Sequence, residues 1–273
     1  MKRSTLLWTI ASIITLASLV YQRVTGPTYP MSGSAKLGAT DIKYKLPRAH
    51  GGKTDCPIEI LVSDTSIHAV LRWKRFKTQD PLTDIAMAHS NGVLRAQLPH
   101  QPTAGKLQYQ LELVRGNERT FIPSEQPVII RFRGDVPLWV VIPHVLAMFV
   151  AMLFSLRAGF EAFMPEPSFR KLVRWTIGVL FVGGFILGPT MQWFAFGKWW
   201  TGIPFGYDLT DNKTLVAFIG WMIAAAALRF AKNPKKWILA ASVLMFVVYL
   251  IPHSVFGSEF DYSTIDRQST QTK

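Results

Sequence analysis

Cysteine is almost missing from this chain: Cys56 stands alone among 273 residues. A single thiol excludes an intramolecular disulfide and any metal centre built from a cysteine cluster. Charge is scarce too, at 17% of residues, where soluble domains carry roughly a quarter. Acids are the rarer sign, 17 against 30 Lys and Arg, for a formal net charge of +13. That excess does not describe a nucleic-acid surface, because the basic residues sit at helix ends and scatter over strands. No Arg/Lys run has aromatics interleaved for base stacking, so no nucleic-acid partner is expected. There is no Gly-rich phosphate loop, no GxSxG nucleophile elbow and no HExxH helix, which removes the motif-level case for a hydrolase or nucleotide enzyme.

What the chain has instead is apolar length near both ends. Residues 138–160, 173–194, 214–230 and 237–251 approach the length of about 20 residues that a bilayer requires, the last two being short. An earlier apolar run, Leu6–Val20, follows basic Lys2 and Arg3. Residues 1–20 form an N-terminal transmembrane anchor or signal-like segment. The poor small-x-small pattern around Ala17–Tyr21 favours a retained anchor.

Short loops set the orientation. Arg157, Arg170, Lys171 and Arg174 follow the second span, and Arg229, Lys232, Lys235 and Lys236 follow the fourth. Both groups belong inside with Lys2 and Arg3. The expectation is a bacterial inner-membrane protein with five spans and a cytoplasmic N-terminus. The large domain and the tail, 253–273, would be periplasmic.

Between anchor and bundle the period changes. Residues 21–36, containing TGPTYPMSGS, suit an extended linker. From about Leu37 apolar and polar residues alternate, as in Leu107, Tyr109, Leu111 and Leu113 against Gln108, Gln110 and Glu112. Alternation marks half-buried strands. Asn91-Gly92 and Gly116-Asn117 supply hairpin turns, since those residues tolerate positive φ. Seven or eight such strands predict a β-sandwich over 37–135, with Trp73 in its core. The fold class is thus a membrane α-helical bundle (136–252) plus an all-β domain.

The stretch 188–214, GPTMQWFAFGKWWTGIPFGYDLTDNKT, is too aromatic for an ordinary linker. Trp and Tyr gather at membrane–water interfaces, so it is expected to cap the periplasmic face, with Thr210 or Asp211 as N-cap of the next helix. Small residues at Ala147, Ala151, Ser155 and Ala158, and at Ala217, Gly220, Ala224 and Ala227, predict close helix packing. No span carries a mid-membrane carboxylate or lysine, which argues against a transport path.

Two histidines, His144 and His253, recur in the tripeptide Ile-Pro-His at the same predicted depth. Asp208, Asp211, Glu259 and Asp261 are expected nearby. Imidazoles with carboxylates suit a divalent metal, and two facing imidazoles suit haem. The alternative is that each histidine hydrogen-bonds its neighbours at a proline-bounded helix end.

The LQYQLELV strand and Trp73 resemble an immunoglobulin or fibronectin type III domain. PFGYDLTDNKT, IPHSVFGSEFDYS and LPHQPTAGKLQYQ are similar to segments of uncharacterised bacterial membrane proteins that join an exported Ig-like domain to a small helical bundle. That resemblance implies a fold and no activity. The leading functional expectation is therefore non-enzymatic: an accessory, assembly or sensing subunit whose sandwich binds a membrane or periplasmic partner, or a ligand, near the lipid bilayer. A membrane redox or metal/haem protein using His144 and His253 is the alternative, and a small-molecule permease ranks lowest.

Overall fold

The computed structural model describes residues 3–252 and 259–263. They divide into two compact units, a helical one (3–27 and 136–252) and a β unit (28–135 and 259–263). The chain is thus a mixed helix and sheet protein.

In the β unit, β1 (Met31–Leu37) and β2 (Thr40–Leu46) form an antiparallel pair. A three-stranded sheet orders β4 (Cys56–Leu61), β8 (Val93–Leu98) and β7 (Ala88–Ser90). The largest sheet centres on β9 (Lys106–Arg115), which pairs along one edge with β5 (His68–Arg75). Its other edge is shared by β11 (Val128–Arg133) and β10 (Glu118–Ile122). Beyond them lie β3 (Ala49–Gly51), parallel to β11, and β6 (Thr83–Ala86) beside β5. One hydrophobic core draws on all three sheets. The alternation is visible in β4, where Cys56, Ile58 and Ile60 are buried and Pro57, Glu59 and Leu61 are exposed. Asn91 and Gly92 both take positive φ in the β7–β8 turn, the backbone twist that two-residue hairpins favour.

Two expectations need correction here. The linker shrinks to residues 26–30, because α1 (Arg3–Thr25) continues through 25 and β1 begins at Met31. β1 carries no alternation of its own; its Gly33 pairs with Tyr44. A Cβ at 33 would fall 2.5 Å from the Tyr44 hydroxyl, so the ring covers the space a side chain would occupy. Trp73 is only half-buried, and its buried indole N–H has no hydrogen-bond partner among the described residues. The fully buried aromatics among the described residues of the β unit are Tyr109 and Phe132.

In the helical unit, α2 (Leu138–Glu161) is followed by α3 (Phe169–Phe181), a π-helical turn (Val182–Leu187) and α4 (Gly188–Phe196). These last three make one rod of 28 residues. α5 (Leu209–Phe230) and α6 (Pro234–Leu250) complete the unit. Among the described residues, four helices are long and apolar enough to cross a membrane: Arg3–Thr25, Leu138–Glu161, Phe169–Phe196 and Leu209–Phe230. α6, with 17 residues, spans about 25 Å at 1.5 Å per residue, short of the roughly 30 Å hydrocarbon core.

The small-residue stripes pack the helices against one another. Ala151, Ser155, Ala158, Ala217 and Ala224 are buried around Trp221, whose indole N–H donates to Met245 Sδ at 3.1 Å. At Gly159, an added Cβ would fall 2.8 Å from Ser242 Cβ, so α2 and α6 approach closely. The aromatic stretch 188–214 is not one cap, since its first nine residues are α4 and its last six open α5. Only 197–208 is non-helical. Pro189 is tolerated because the π turn beneath it has already broken the regular hydrogen-bond pattern, so its missing N–H removes little.

Candidate functional site

The polar chemistry of the helical unit gathers at the end carrying the 197–208 loop. His144 lies in the second turn of α2, because the helix begins at Leu138 and leaves Pro143 inside it. This differs from the expected proline-started helix. His144 Nδ1 lies 3.0 Å from the Gly183 carbonyl, which also accepts the Gly188 N–H within the π turn. A carbonyl can only accept, so Nδ1 carries the proton and Nε2 is the basic nitrogen. Gly188 leaves its surface open to the ring: an added Cβ would touch His144 Cε1 at 3.6 Å. The histidine is therefore held against a glycine-lined wide turn of the neighbouring helix. His144 Nε2 makes no hydrogen bond among the described residues.

The loop is organised by α5. Asp208 is the N-cap of that helix, accepting from the Thr210 N–H at 2.8 Å; the expected caps, Thr210 and Asp211, lie within its first turn. Asp211 instead turns back into the loop. Its Oδ2 accepts the N–H groups of Thr201 and Gly202 at 2.7 and 3.0 Å and the Thr201 hydroxyl at 3.2 Å. Asn212 Oδ1 accepts the Ile203 N–H at 2.7 Å, and Gln192 Nε2 donates to Thr201 Oγ1 at 2.5 Å. The loop is thus rigidly held while Trp199, Phe205 and Tyr207 stay exposed. Trp199 stacks on Trp193 with centroids 5.0 Å apart.

Two groups that sequence reasoning missed close α6. Lys213, buried at 7% exposure, donates to the Ile251 carbonyl at 2.5 Å. Gln22 of α1 donates to the Tyr249 carbonyl. Both satisfy carbonyls that a helix C-terminus leaves without internal partners. The Tyr249 hydroxyl in turn donates to Met148 O at 2.9 Å, tying α6 to α2. Lys213 sits in a hydrophilic TDNKT run, so its burial had no local signal.

At the opposite end, Arg157 and Glu161 are buried as an ion pair inside the last turns of α2. Arg157 was expected among the loop charges. Its guanidinium lies 5.5 Å from the Trp8 ring centroid, and Glu161 Oε1 accepts the Ser168 N–H at 2.9 Å. The four-residue spacing in RAGFE was the available clue. Arg170, Lys171, Arg174, Lys232 and Lys236 remain exposed.

Of the predicted site residues, Asp208 and Asp211 come together at the start of α5, and His253 lies outside the described residues. Glu259 and Asp261 belong to the β unit. There Glu259 pairs with Lys106 and Lys77 at 2.7 and 2.8 Å, and Asp261 Oδ1 accepts the Ser263 N–H at 3.0 Å. Among the described residues no three His, Cys, Asp or Glu side chains converge as metal ligands. His50, His89 and His100 bond or pack locally within the β unit. No protein-family model matches this chain, and no curated protein matches it.

Proposed function

We propose that this chain is a bacterial inner-membrane accessory, assembly or sensing subunit. On this reading the helical unit is an anchor with its N-terminus in the cytoplasm. The β unit is an Ig-like sandwich in the periplasm that binds a protein partner or ligand close to the bilayer. The observation that carries the reading is the self-contained core of the β unit, built from all three of its sheets, in a chain with four helices suited to lipid. A domain with its own core can present a surface without drawing on its anchor, and the joins at 26–30 and 134–137 are too short for a long tether. The exposed Arg170, Lys171 and Arg174 at the start of α3, with Lys232 and Lys236 about the α5–α6 turn, support the orientation. Leu61 and Leu82 are large apolar side chains left exposed on the β unit, and they are the natural positions for a probe.

The test places a photo-cross-linking residue at Leu61 or Leu82 in intact cells and asks for one adduct of defined mass. No adduct at either position, or a periplasm-specific reporter that is silent after Asn117 and active after Lys232, overturns the reading.

His144 supports a second reading, a redox or metal/haem protein. A histidine whose Nδ1–H is held by a backbone carbonyl presents Nε2 in the tautomer that ligates metals. Gently purified protein would then show a Soret band or stoichiometric metal that His144→Ala removes while helix content stays unchanged. A colourless, metal-free protein refutes it.

A further inference from the structure

The tail residues 259–262 form a strap across the β unit, and its contacts describe a recognition surface. Glu259 is chelated by Lys106 and Lys77. Partial burial opposes its ionisation, but the hydrogen bonds from Lys106 and Lys77 outweigh that and hold its carboxyl below the usual range. The Phe260 N–H donates to Ala104 O at 3.2 Å. Tyr262 is buried, and its single hydroxyl proton is shared between Gln101 Oε1 at 3.0 Å and the Lys106 carbonyl at 3.1 Å.

The surface beneath is prepared for those groups. Gln101 is itself 9% exposed, and its amide nitrogen donates to the Pro99 and His100 carbonyls at 3.1 and 2.9 Å. Both donors are thus committed, which turns Oε1 toward the tyrosine. Gly105 leaves the space the hydroxyl fills, since an added Cβ would fall 3.0 Å from it. The Arg75 guanidinium lies 5.1 Å from the Tyr262 ring centroid and is fixed by Asp80 at 2.5 and 2.8 Å. A cleft of about 550 Å³ opens beside the strap, between residues 76–80 and 259–263, with room for flanking side chains.

We propose that this face, built from Arg75, Lys77, Gln101, Gly105 and Lys106, recognises an extended acidic–aromatic peptide with Glu three residues before Tyr. The chain's own Glu259–Tyr262 fills it as an internal ligand, and a partner bearing that pattern displaces the strap. The inference rests on the partner-binding reading above and names its surface. Exchange is feasible because the contacts of 259–262 are few and the Lys77–Glu259 pair is exposed at the rim, where such pairs contribute little. Tethering still favours the internal ligand, at an effective concentration on the order of millimolar.

The test uses the full chain in detergent and a fluorescent octapeptide of residues 257–264, GSEFDYST. Opening the strap with Glu259→Ala and Tyr262→Ala should tighten peptide binding about ten- to a hundredfold over wild type, by removing the tethered competitor. Adding Lys77→Glu and Lys106→Glu should abolish binding, and a peptide with Lys in place of its Glu should regain it. Slow labelling of Cys56 in each variant reports that the β unit is folded. An opened, folded chain that does not bind the peptide, or charge reversals without effect, overturns the proposal. The cross-linked adduct separates this outcome from the broader reading. An adduct that survives the charge reversals leaves partner binding standing and removes this surface as its site. Absence of the adduct from every chain removes partner binding, whatever the peptide does.

Discussion

The β unit contains its own reporter, because the only thiol of the protein lies in its core. Cys56 is 2% exposed, and burial pushes its pKa up to about 11. The thiolate is the reactive species, so labelling requires opening. Tyr109 shares that core at 1% exposure, and its hydroxyl donates to Pro47 O at 2.8 Å. Tyr109→Phe deletes one hydrogen bond, but Pro47 is half-buried and its carbonyl regains water, so the cost is about 1 kcal/mol. Tyr109→Ala removes the ring as well, at about 3–5 kcal/mol by comparison with other large aromatic truncations. Where reclosing outruns the reagent, the labelling rate follows the open population. The rate should then rise about fivefold for Tyr109→Phe, and on the order of a hundred- to several-thousandfold for Tyr109→Ala. The assay is Cys56 modification of the intact protein in detergent, at constant reagent and pH. If both variants label at the wild-type rate, β4 opens alone and the shared-core argument fails. Labelling of the wild type at a free-thiol rate would refute the burial itself.

Three further outcomes follow from the packing and one from ionisation. Gly159→Ala should destabilise the helical unit by up to about 2 kcal/mol, an overpacking cost of about 1–3 offset by about 1 of helix propensity. Ser242→Gly should relieve part of that loss, so the double variant loses less than the sum in a detergent–SDS titration; strict additivity refutes the contact. Glu161→Gln strands the Arg157 charge and should cost about 3–5 kcal/mol, whereas Arg157→Met with Glu161→Leu should be close to neutral; equal losses would contradict the pairing. Asp211→Asn removes the charged acceptor of three hydrogen bonds, so proteolysis within 197–208 should accelerate while helical circular dichroism is unchanged. The Glu259 carboxyl has a lowered pKa in the folded state, so its contribution to strap docking is fully present above the ordinary carboxylate pKa. It is lost as pH falls through the lowered value, and hydrogen exchange at the Phe260 N–H should speed up there and not near neutrality.

Much of the fold was legible because burial imposes a period. β4 and β9 alternate since one face of each is in the core, and the Asn91-Gly92 turn announces itself by its backbone requirement. The apolar runs located every helix to within a few residues, although α2 begins before its proline and α5 already at Leu209. β1 was illegible, because MSGSAKL becomes a strand only by pairing with β2 under the ring of Tyr44. Trp73 was misplaced because alternation assigns a face and not a depth. The site was harder to read than the fold. Lys213 and Gln22 acquire their partners from helix ends distant in sequence, and the strap meets lysines 153 and 182 residues away. No local pattern encodes such meetings. The histidine pair was suggested by a repeated tripeptide, yet what holds His144 is a carbonyl of the Gly183-Gly184 turn, whose wide geometry no periodicity announces.

That turn also acts as a clock setting within a single rod. Each residue of an α-helix advances the azimuth by about 100° and the rise by 1.5 Å, and a π turn holds one residue more than the regular spiral needs. Were Val182–Leu187 wound as a regular α-helix with all its residues kept, everything from Gly188 to Phe196 would swing about a quarter of the way round. Gln192 would leave Thr201, Trp193 would leave Trp199, and Gly188 would no longer lie against His144, three losses from one change of pitch. The first half of the rod is phased to pack against α2 and α5, and the second half is phased to hold the loop. The extra residue lets one helix keep both appointments.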